Sequence, residues 1–282
     1  MPSHEGSPPG AGPASVALIA LDLDGTVLGP GTAIAPACRA ALQRARRAGI
    51  VVALATGRML RSARGVQERL GVSGPLLTYN GGLVALPDGR SWTDPVPLEA
   101  ARAVAAVCRD RGFFLQSYLG DDLRVPADDA RARAYAELAG VPFTLDPEAV
   151  WEPAVPPTKL LVIEPAERMP EVREALGPVV AGRCEVANSY PHYLEISRAG
   201  VDKGTALRRL AAALDVPPAA VLAVGDGEND LAMIRFAGHG VAVANAAPAL
   251  RAAARHVTAA PYGDGVAEAV ARFAGVPSAP GP

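Results

Sequence analysis

The chain is poor in cysteine, almost free of lysine and without a long apolar run. Its three cysteines, Cys38, Cys108 and Cys184, are scattered and odd in number. That pattern excludes a disulfide framework and fits a reducing, cytoplasmic setting. No Cys/His spacing of a zinc site occurs. No apolar stretch approaches the roughly 20 residues that span a bilayer, so no membrane partner is expected. A net charge of -2 gives no basic field for nucleic acid. The absence of a Gly-x-x-x-x-Gly-Lys-Ser/Thr run excludes a P-loop nucleotide hydrolase. Of 27 cationic residues only Lys159 and Lys203 are lysines. A compact ammonium is not interchangeable with a flat guanidinium fork, so both positions mark places where a point charge is needed.

What is present is a chain half hydrophobic and one-fifth charged, the composition of a globular protein. Residues 1–14 and 276–282 read as loose, Pro/Gly/Ser-rich tails. From Val16 to Tyr79 short apolar runs alternate with helical patterns. Strands are expected at Val16–Leu21, Ile50–Ala55 and Leu76–Tyr79, with helices at Pro36–Ala48 and Met59–Leu70. This βαβαβ rhythm implies a parallel sheet with right-handed crossovers. It returns after Lys203, with strands at Val221–Val224 and Val241–Ala244 between helices and a last helix at Ala267–Phe273. Between the halves, Pro87-Asp88-Gly89-Arg90 signals a hairpin, followed by two rounds of helix and strand. The expected architecture is α/β: a parallel-sheet core, residues 15–97 and 190–275, with an inserted α+β domain, residues 98–189.

Three polar segments follow directly on short apolar runs: Asp22-Leu23-Asp24-Gly25-Thr26, Thr56-Gly57-Arg58 and Gly225-Asp226-Gly227-Glu228-Asn229-Asp230. A fourth, Asp202-Lys203-Gly204, opens a helix. Ligands of open parallel sheets bind beyond the carboxyl ends of the strands, where all of these would meet. Alternation along an extended chain predicts that Asp22 and Asp24 project together. Asp22, Asp24, Asp226 and Asp230 would then crowd one site. Two unit charges 4 Å apart repel by about 4 kcal/mol at an effective dielectric near 20, so such a cluster demands a cation. The ligands on offer are all oxygens, which suits Mg²⁺. Mg²⁺ and Lys203 could together neutralise a phosphate. The Thr56 hydroxyl and the Gly57 amide add donors. Phosphoryl transfer follows: Asp22 as an ionised nucleophile, Asp24 as proton donor and then base.

The motifs Asp-Leu-Asp-Gly-Thr, Ala-Thr-Gly-Arg, Val-Asp-Lys-Gly and Gly-Asp-Gly-Glu-Asn-Asp-Leu-Ala-Met, in this order, resemble those of the haloacid dehalogenase superfamily. More narrowly they resemble the Cof-type phosphatases, with a Rossmann-like core and an α/β cap between the second and third motifs. The resemblance covers the chain except its tails. It implies Asp22 as nucleophile and Mg²⁺ ligand, and Asp24 as acid/base and metal ligand through its carbonyl. It further implies Asp226 as third ligand, Thr56 and Lys203 on phosphate with Leu23 and Gly57 beside them, Asn229 toward substrate and Asp230 in support. The implied substrate is a small phosphorylated metabolite, hydrolysed by a monomer or homodimer. A phosphosugar mutase and a non-catalytic sugar-phosphate sensor are the alternative readings on the same fold.

Outside these motifs the plain readings are structural. Arg39, Arg44, Arg46 and Arg47 read as a solvated helix face. His192, His239 and His256 lie near strand ends. Asp121 and Asp122 read as exposed loop acids. Lys159, at the start of an apolar strand, reads as edge protection or a substrate contact, with Tyr118 and Arg124 in the same class.

Overall fold

A computed structural model describes residues 15–275; the two expected tails lie outside the described residues. The first half of the core comprises β1 (Leu18–Leu21), α1 (Pro36–Arg47), β2 (Val51–Ala55), α2 (Leu60–Leu70), β3 (Leu76–Thr78), β4 (Leu83–Ala85) and β5 (Ser91–Thr93). Then come α3 (Leu98–Arg111), β6 (Phe114–Leu119), β7 (Asp122–Val125), α4 (Ala130–Ala139), β8 (Phe143–Leu145) and α5 (Pro147–Trp151). The inserted region continues with β9 (Lys159–Ile163), α6 (Met169–Val180), β10 (Cys184–Tyr190) and β11 (Tyr193–Arg198). The chain closes with α7 (Lys203–Ala213), β12 (Val221–Gly225), α8 (Leu231–Phe236), β13 (His239–Ala242), α9 (Pro248–Ala253), β14 (His256–Val257) and α10 (Tyr262–Phe273).

Two sheets result. The eight-stranded core sheet has the order β14-β13-β12-β1-β2-β3-β4-β5 and is parallel from β14 to β3. The β4–β5 hairpin extends it antiparallel. Strand order reverses at β1, which has β2 on one side and β12 on the other, so the crevice beyond β1 is the expected ligand position. Register aligns that crevice. Leu21 pairs with both Leu54 and Val224, so the residues following each strand emerge side by side. Apolar side chains hold the alignment: Leu18, Ile19, Leu21, Leu54 and Leu222 are fully buried, each contributing roughly 2 kcal/mol.

The six-stranded sheet of the insert has the order β10-β11-β9-β6-β7-β8. Its β11 corrects the expected domain boundary. The sequence places residues 190–198 in the core, but Tyr193–Arg198 pairs with both β9 and β10, so the insert's sheet continues to Arg198. The expected strand at Leu76–Tyr79 is shorter because Tyr79 and Asn80 have positive φ, 53° and 54°, which ends extended pairing. The last helix starts five residues before the expected Ala267. A Cβ at Gly265 would lie 2.4 Å from the Ala260 carbonyl oxygen, so glycine there serves close packing.

A buried carboxylate joins the pieces of the insert. Glu164, just after β9, is 2% exposed. It accepts hydrogen bonds from the Phe114 N–H at 2.9 Å, from Arg131 of α4 at 2.9 Å and from Arg168, ahead of α6, at 2.7 Å. Removing it orphans the buried Phe114 N–H. Glu164→Ala is therefore expected to lose about 2 kcal/mol in chemical denaturation. A loss under about 0.5 kcal/mol, the range of a neutral surface change, would show the carboxylate to be dispensable.

Candidate active site

The residues that leave β1, β2 and β12 meet above the switch point, and α7 delivers the cation. Asp202 caps α7: its carboxylate accepts from the Thr205 N–H at 2.6 Å, while the Thr205 hydroxyl accepts from the Asp202 N–H at 2.9 Å. Such a cap contributes about 1 kcal/mol and fixes the first helical residue, Lys203. The Lys203 side chain is fully buried and donates to Asp22 Oδ1 at 2.5 Å and Asp230 Oδ1 at 2.6 Å. The other Asp230 oxygen accepts from the main-chain N–H groups of Asp226 and Gly227, at 2.9 and 3.0 Å. Asp226 in turn accepts from the Thr26 hydroxyl at 2.7 Å.

Asp22, Asp226 and Asp230 can each offer a carboxylate oxygen within 4.8 Å of the others. Three negative groups thus face one ammonium. Burial raises the Asp22 carboxyl well above the usual carboxylate range; Lys203 pulls it down, and Asp230 and Asp226 push it further up. Burial also raises Asp226. Burial disfavours the Lys203 ammonium, but Asp22 and Asp230 more than offset that and hold it charged. The Asp22 carboxyl is thus harder to ionise than an ordinary carboxylate, because burial outweighs the pull of the single ammonium.

Asp24 does not join the cluster. The chain leaves extended geometry after Leu21, and Gly25 turns with φ +86°, where a Cβ would lie 2.3 Å from Asp226 Oδ2. The paired strand ends at Leu21, before either aspartate, so strand alternation does not fix where Asp24 points. Its half-exposed carboxylate forms a two-bond pair with Arg58, Nε–Oδ2 2.8 Å and Nη2–Oδ1 2.5 Å. Leu23 has its side chain in the apolar core, leaving only its main chain to meet a ligand. Thr56 is buried, and its hydroxyl accepts from the Arg58 N–H at 3.1 Å. Gly57 lies against the Asn80 amide. Asn229 donates to Asn80 Oδ1 at 3.1 Å.

Sequence reasoning gave no role to several residues that the structure brings here. Thr26 anchors Asp226. Arg58 holds Asp24. Asn245 donates to the Gly25 carbonyl at 2.8 Å and accepts from the Tyr262 N–H at 2.9 Å, bracing the Asp24–Gly25 turn. Asp121 is no free loop acid. It accepts from the Arg61 N–H at 2.9 Å, near the start of α2, and from the Tyr79 hydroxyl at 3.1 Å, clasping the insert to the core. Each contact is tertiary, and only the polar residue types were visible in the sequence.

The sequence pattern of the haloacid dehalogenase-like hydrolases matches residues 19–270. The chain belongs to this family. Within the haloacid dehalogenase superfamily its α/β cap and its relatives put it among the Cof-type phosphatases. Phosphoglycolate phosphatase of Methanothermobacter thermautotrophicus is 31% identical over 258 residues, covering 91% of this chain and 98% of that protein. The 5-amino-6-(5-phospho-D-ribitylamino)uracil phosphatase YitU of Bacillus subtilis is 28% identical, covering 89% and 94%. The crystal structure of TM0651 from Thermotoga maritima superposes with a TM-score of 0.85 at 31% identity, covering 91% of this chain and 97% of that one. Among the described residues no helix is long and apolar enough to cross a membrane.

The charge balance of this hydrolase site can be tested. Lys203→Met leaves Asp22 and Asp230 buried without a counter-charge, at an expected cost of about 3 kcal/mol near neutral pH. A carboxyl whose proton affinity is raised by folding loses stability as the pH rises through that range. The variant should therefore regain stability as the pH is lowered from neutral to mildly acidic. Denaturation in chelator at both pH values reads this, and a loss independent of pH would contradict it.

Proposed function

We propose that this protein is a Mg²⁺-dependent phosphatase that hydrolyses a small phosphorylated metabolite, such as a sugar phosphate, through an aspartyl-phosphate on Asp22. The observation that carries this reading is the excess of carboxylates, Asp22, Asp226 and Asp230, around the single ammonium of Lys203 at the switch point. A divalent ion fits this donor set, since every candidate ligand is a hard oxygen and the carboxylates outnumber the cation. Asp22, Asp226 and the Asp24 carbonyl would hold it. Asp230 has both oxygens engaged, by Lys203 and by two main-chain N–H groups, and so supports rather than ligates. The ion would supply the positive charge that ionises Asp22 and screens the incoming phosphate.

The chain's own residues account for the rest. Lys203, the Thr56 hydroxyl and the main-chain N–H groups of Leu23 and Gly57 hold the phosphoryl oxygens. An Asp22 oxygen attacks phosphorus, forming an O–P bond as the ester P–O bond breaks. Asp24, released from Arg58 and protonated from solvent, gives that proton to the leaving alkoxide. It then takes a proton from the water that attacks the aspartyl-phosphate, freeing inorganic phosphate and restoring Asp22. Asn229 stands toward the substrate. The named substrates of the relatives, phosphoglycolate and a phosphoribitylamino-uracil, differ greatly beyond the phosphate. That supports a core that reads phosphate and a cap that reads the leaving group.

Two measurements test the reading. Asp22→Asn should abolish Mg²⁺-dependent turnover of p-nitrophenyl phosphate, and Asp24→Asn should lower it by about a thousandfold. Undiminished turnover by Asp22→Asn would refute the mechanism. Separately, folding raises the proton affinity of Asp226, so its charge opposes folding at neutral pH. Asp226→Asn should raise the melting temperature of the metal-free protein and remove the further rise produced by Mg²⁺. An undiminished Mg²⁺ response would exclude Asp226 as a ligand.

A further inference from the structure

The two lysines of the chain are the two buried cations among the described residues, and every arginine is at least partly exposed. Lys203 serves the phosphate site. Lys159 does not, and the mechanism leaves it without a task. It opens β9 with its side chain 4% exposed. Its carboxylate partner among the described residues is Glu195, 3.3 Å away and 18% exposed. The ammonium otherwise faces aromatic rings, Tyr118 at 4.7 Å and Tyr79 at 5.8 Å. A buried ion pair is on average no more stabilising than a well-packed apolar pair. Stability alone therefore does not explain a lysine held here in a chain that uses arginine nearly everywhere else.

Register shows what shares its surface. Lys159 pairs with Tyr118, Leu161 with Gln116 and Glu195, and Ile163 with Tyr193. Alternate residues share a face, so Lys159, Glu195, Gln116, Tyr118 and Tyr193 lie on one face of the cap sheet. The other face, with Leu115, Leu160 and Leu194, belongs to the apolar cluster formed with α3 and α6. Gln116 is fully buried and its Oε1 has no hydrogen-bond partner, an unsatisfied acceptor on the Lys159 face.

This face is joined to the segment from Thr56 to Arg58 through Tyr79 and Asn80. Tyr79, whose ring Lys159 faces, donates its N–H to the Arg58 carbonyl at 3.1 Å, and Asn80 donates to the Thr56 carbonyl at 3.0 Å. On the other side Tyr193 meets Tyr190 edge-on, with ring centres 5.4 Å apart. The Lys159–Glu195 pair thus lies beside Tyr79, whose main chain is bonded to Arg58.

We propose that Lys159 and Glu195 form the leaving-group subsite, Glu195 accepting from substrate hydroxyls and Lys159 donating to substrate oxygens. The assignment rests on the phosphatase reading above. A hydroxyl-rich group satisfies both partners at once. A carboxylate meets Lys159 but is repelled by Glu195, and an apolar group leaves both unpaired. The enzyme therefore prefers polyhydroxylated phosphate esters to phosphoglycolate and to aryl phosphate.

The test is steady-state kinetics of the full chain with Mg²⁺ on sugar phosphates, sugar-alcohol phosphates, phosphoglycolate and p-nitrophenyl phosphate. The wild type should give its highest kcat/KM on a polyhydroxylated ester. Glu195→Gln and Lys159→Met should each lower the ratio of that kcat/KM to the aryl value by about tenfold or more, as expected when a site loses a hydrogen bond to a substrate hydroxyl. Either single change strands a buried charge, so Lys159→Met/Glu195→Gln, which removes both, carries the test if a single variant fails to fold. An unchanged ratio in a folded variant, a parallel fall on both esters, or a wild-type preference for phosphoglycolate would overturn the proposal. Each leaves Asp22-dependent aryl turnover in place, whereas failure of the phosphatase reading would show as Asp22→Asn turning over the aryl ester at the wild-type rate.

Discussion

The ammonium of Lys203, buried between Asp22 and Asp230, is the contact on which the core site depends. It ties the end of β1 to the loop after β12 from the first residue of α7. Asp230 passes the constraint on by holding the N–H groups of Asp226 and Gly227. Lys203 lies only a few residues beyond the insert, so the site is complete only after the chain has returned from the cap. The interaction also sets the electrostatics. One ammonium faces three carboxylates, and the surplus is met either by protons, as the raised Asp22 and Asp226 carboxyls indicate, or by a cation.

The two buried lysines belong to different parts of the molecule. One sits among core carboxylates where a phosphate oxygen can approach. The other sits on the cap sheet against one carboxylate and two rings. Tyr79 and Asn80 connect them, hydrogen-bonded through their main chain to Arg58 and Thr56 and lying under Lys159 through the Tyr79 ring. Asp121 closes the same junction from the cap side. Under the proposed function, a phosphate-holding core and a cap with separate polar groups would suit relatives named for dissimilar phosphate esters.

Much of this was legible in the sequence because the polar segments follow apolar runs that could only be buried parallel strands. The alignment of Leu21 with Leu54 and Val224 then brings their successors together. The direction of Asp24 was not legible. Side-chain alternation holds along a paired strand, and β1 ends at Leu21. Arg58 as its partner was equally hidden, since that ion pair spans two loops. The end of the insert was misread because β11 runs into the Lys203 motif with only a short connection, and strand membership is decided by pairing with β9 and β10. The scarcity of lysine was visible as composition, but its meaning needed the burial of both side chains.

The central claim is that Asp22, ionised beside Lys203, becomes phosphorylated. It is tested most directly by adding borohydride during turnover of an aryl phosphate with Mg²⁺ and sequencing the resulting peptides by mass spectrometry. An acyl phosphate on Asp22 is reduced to homoserine, so the account predicts homoserine at position 22, dependent on substrate. Unmodified Asp22 during active turnover, or homoserine at another aspartate, would contradict it.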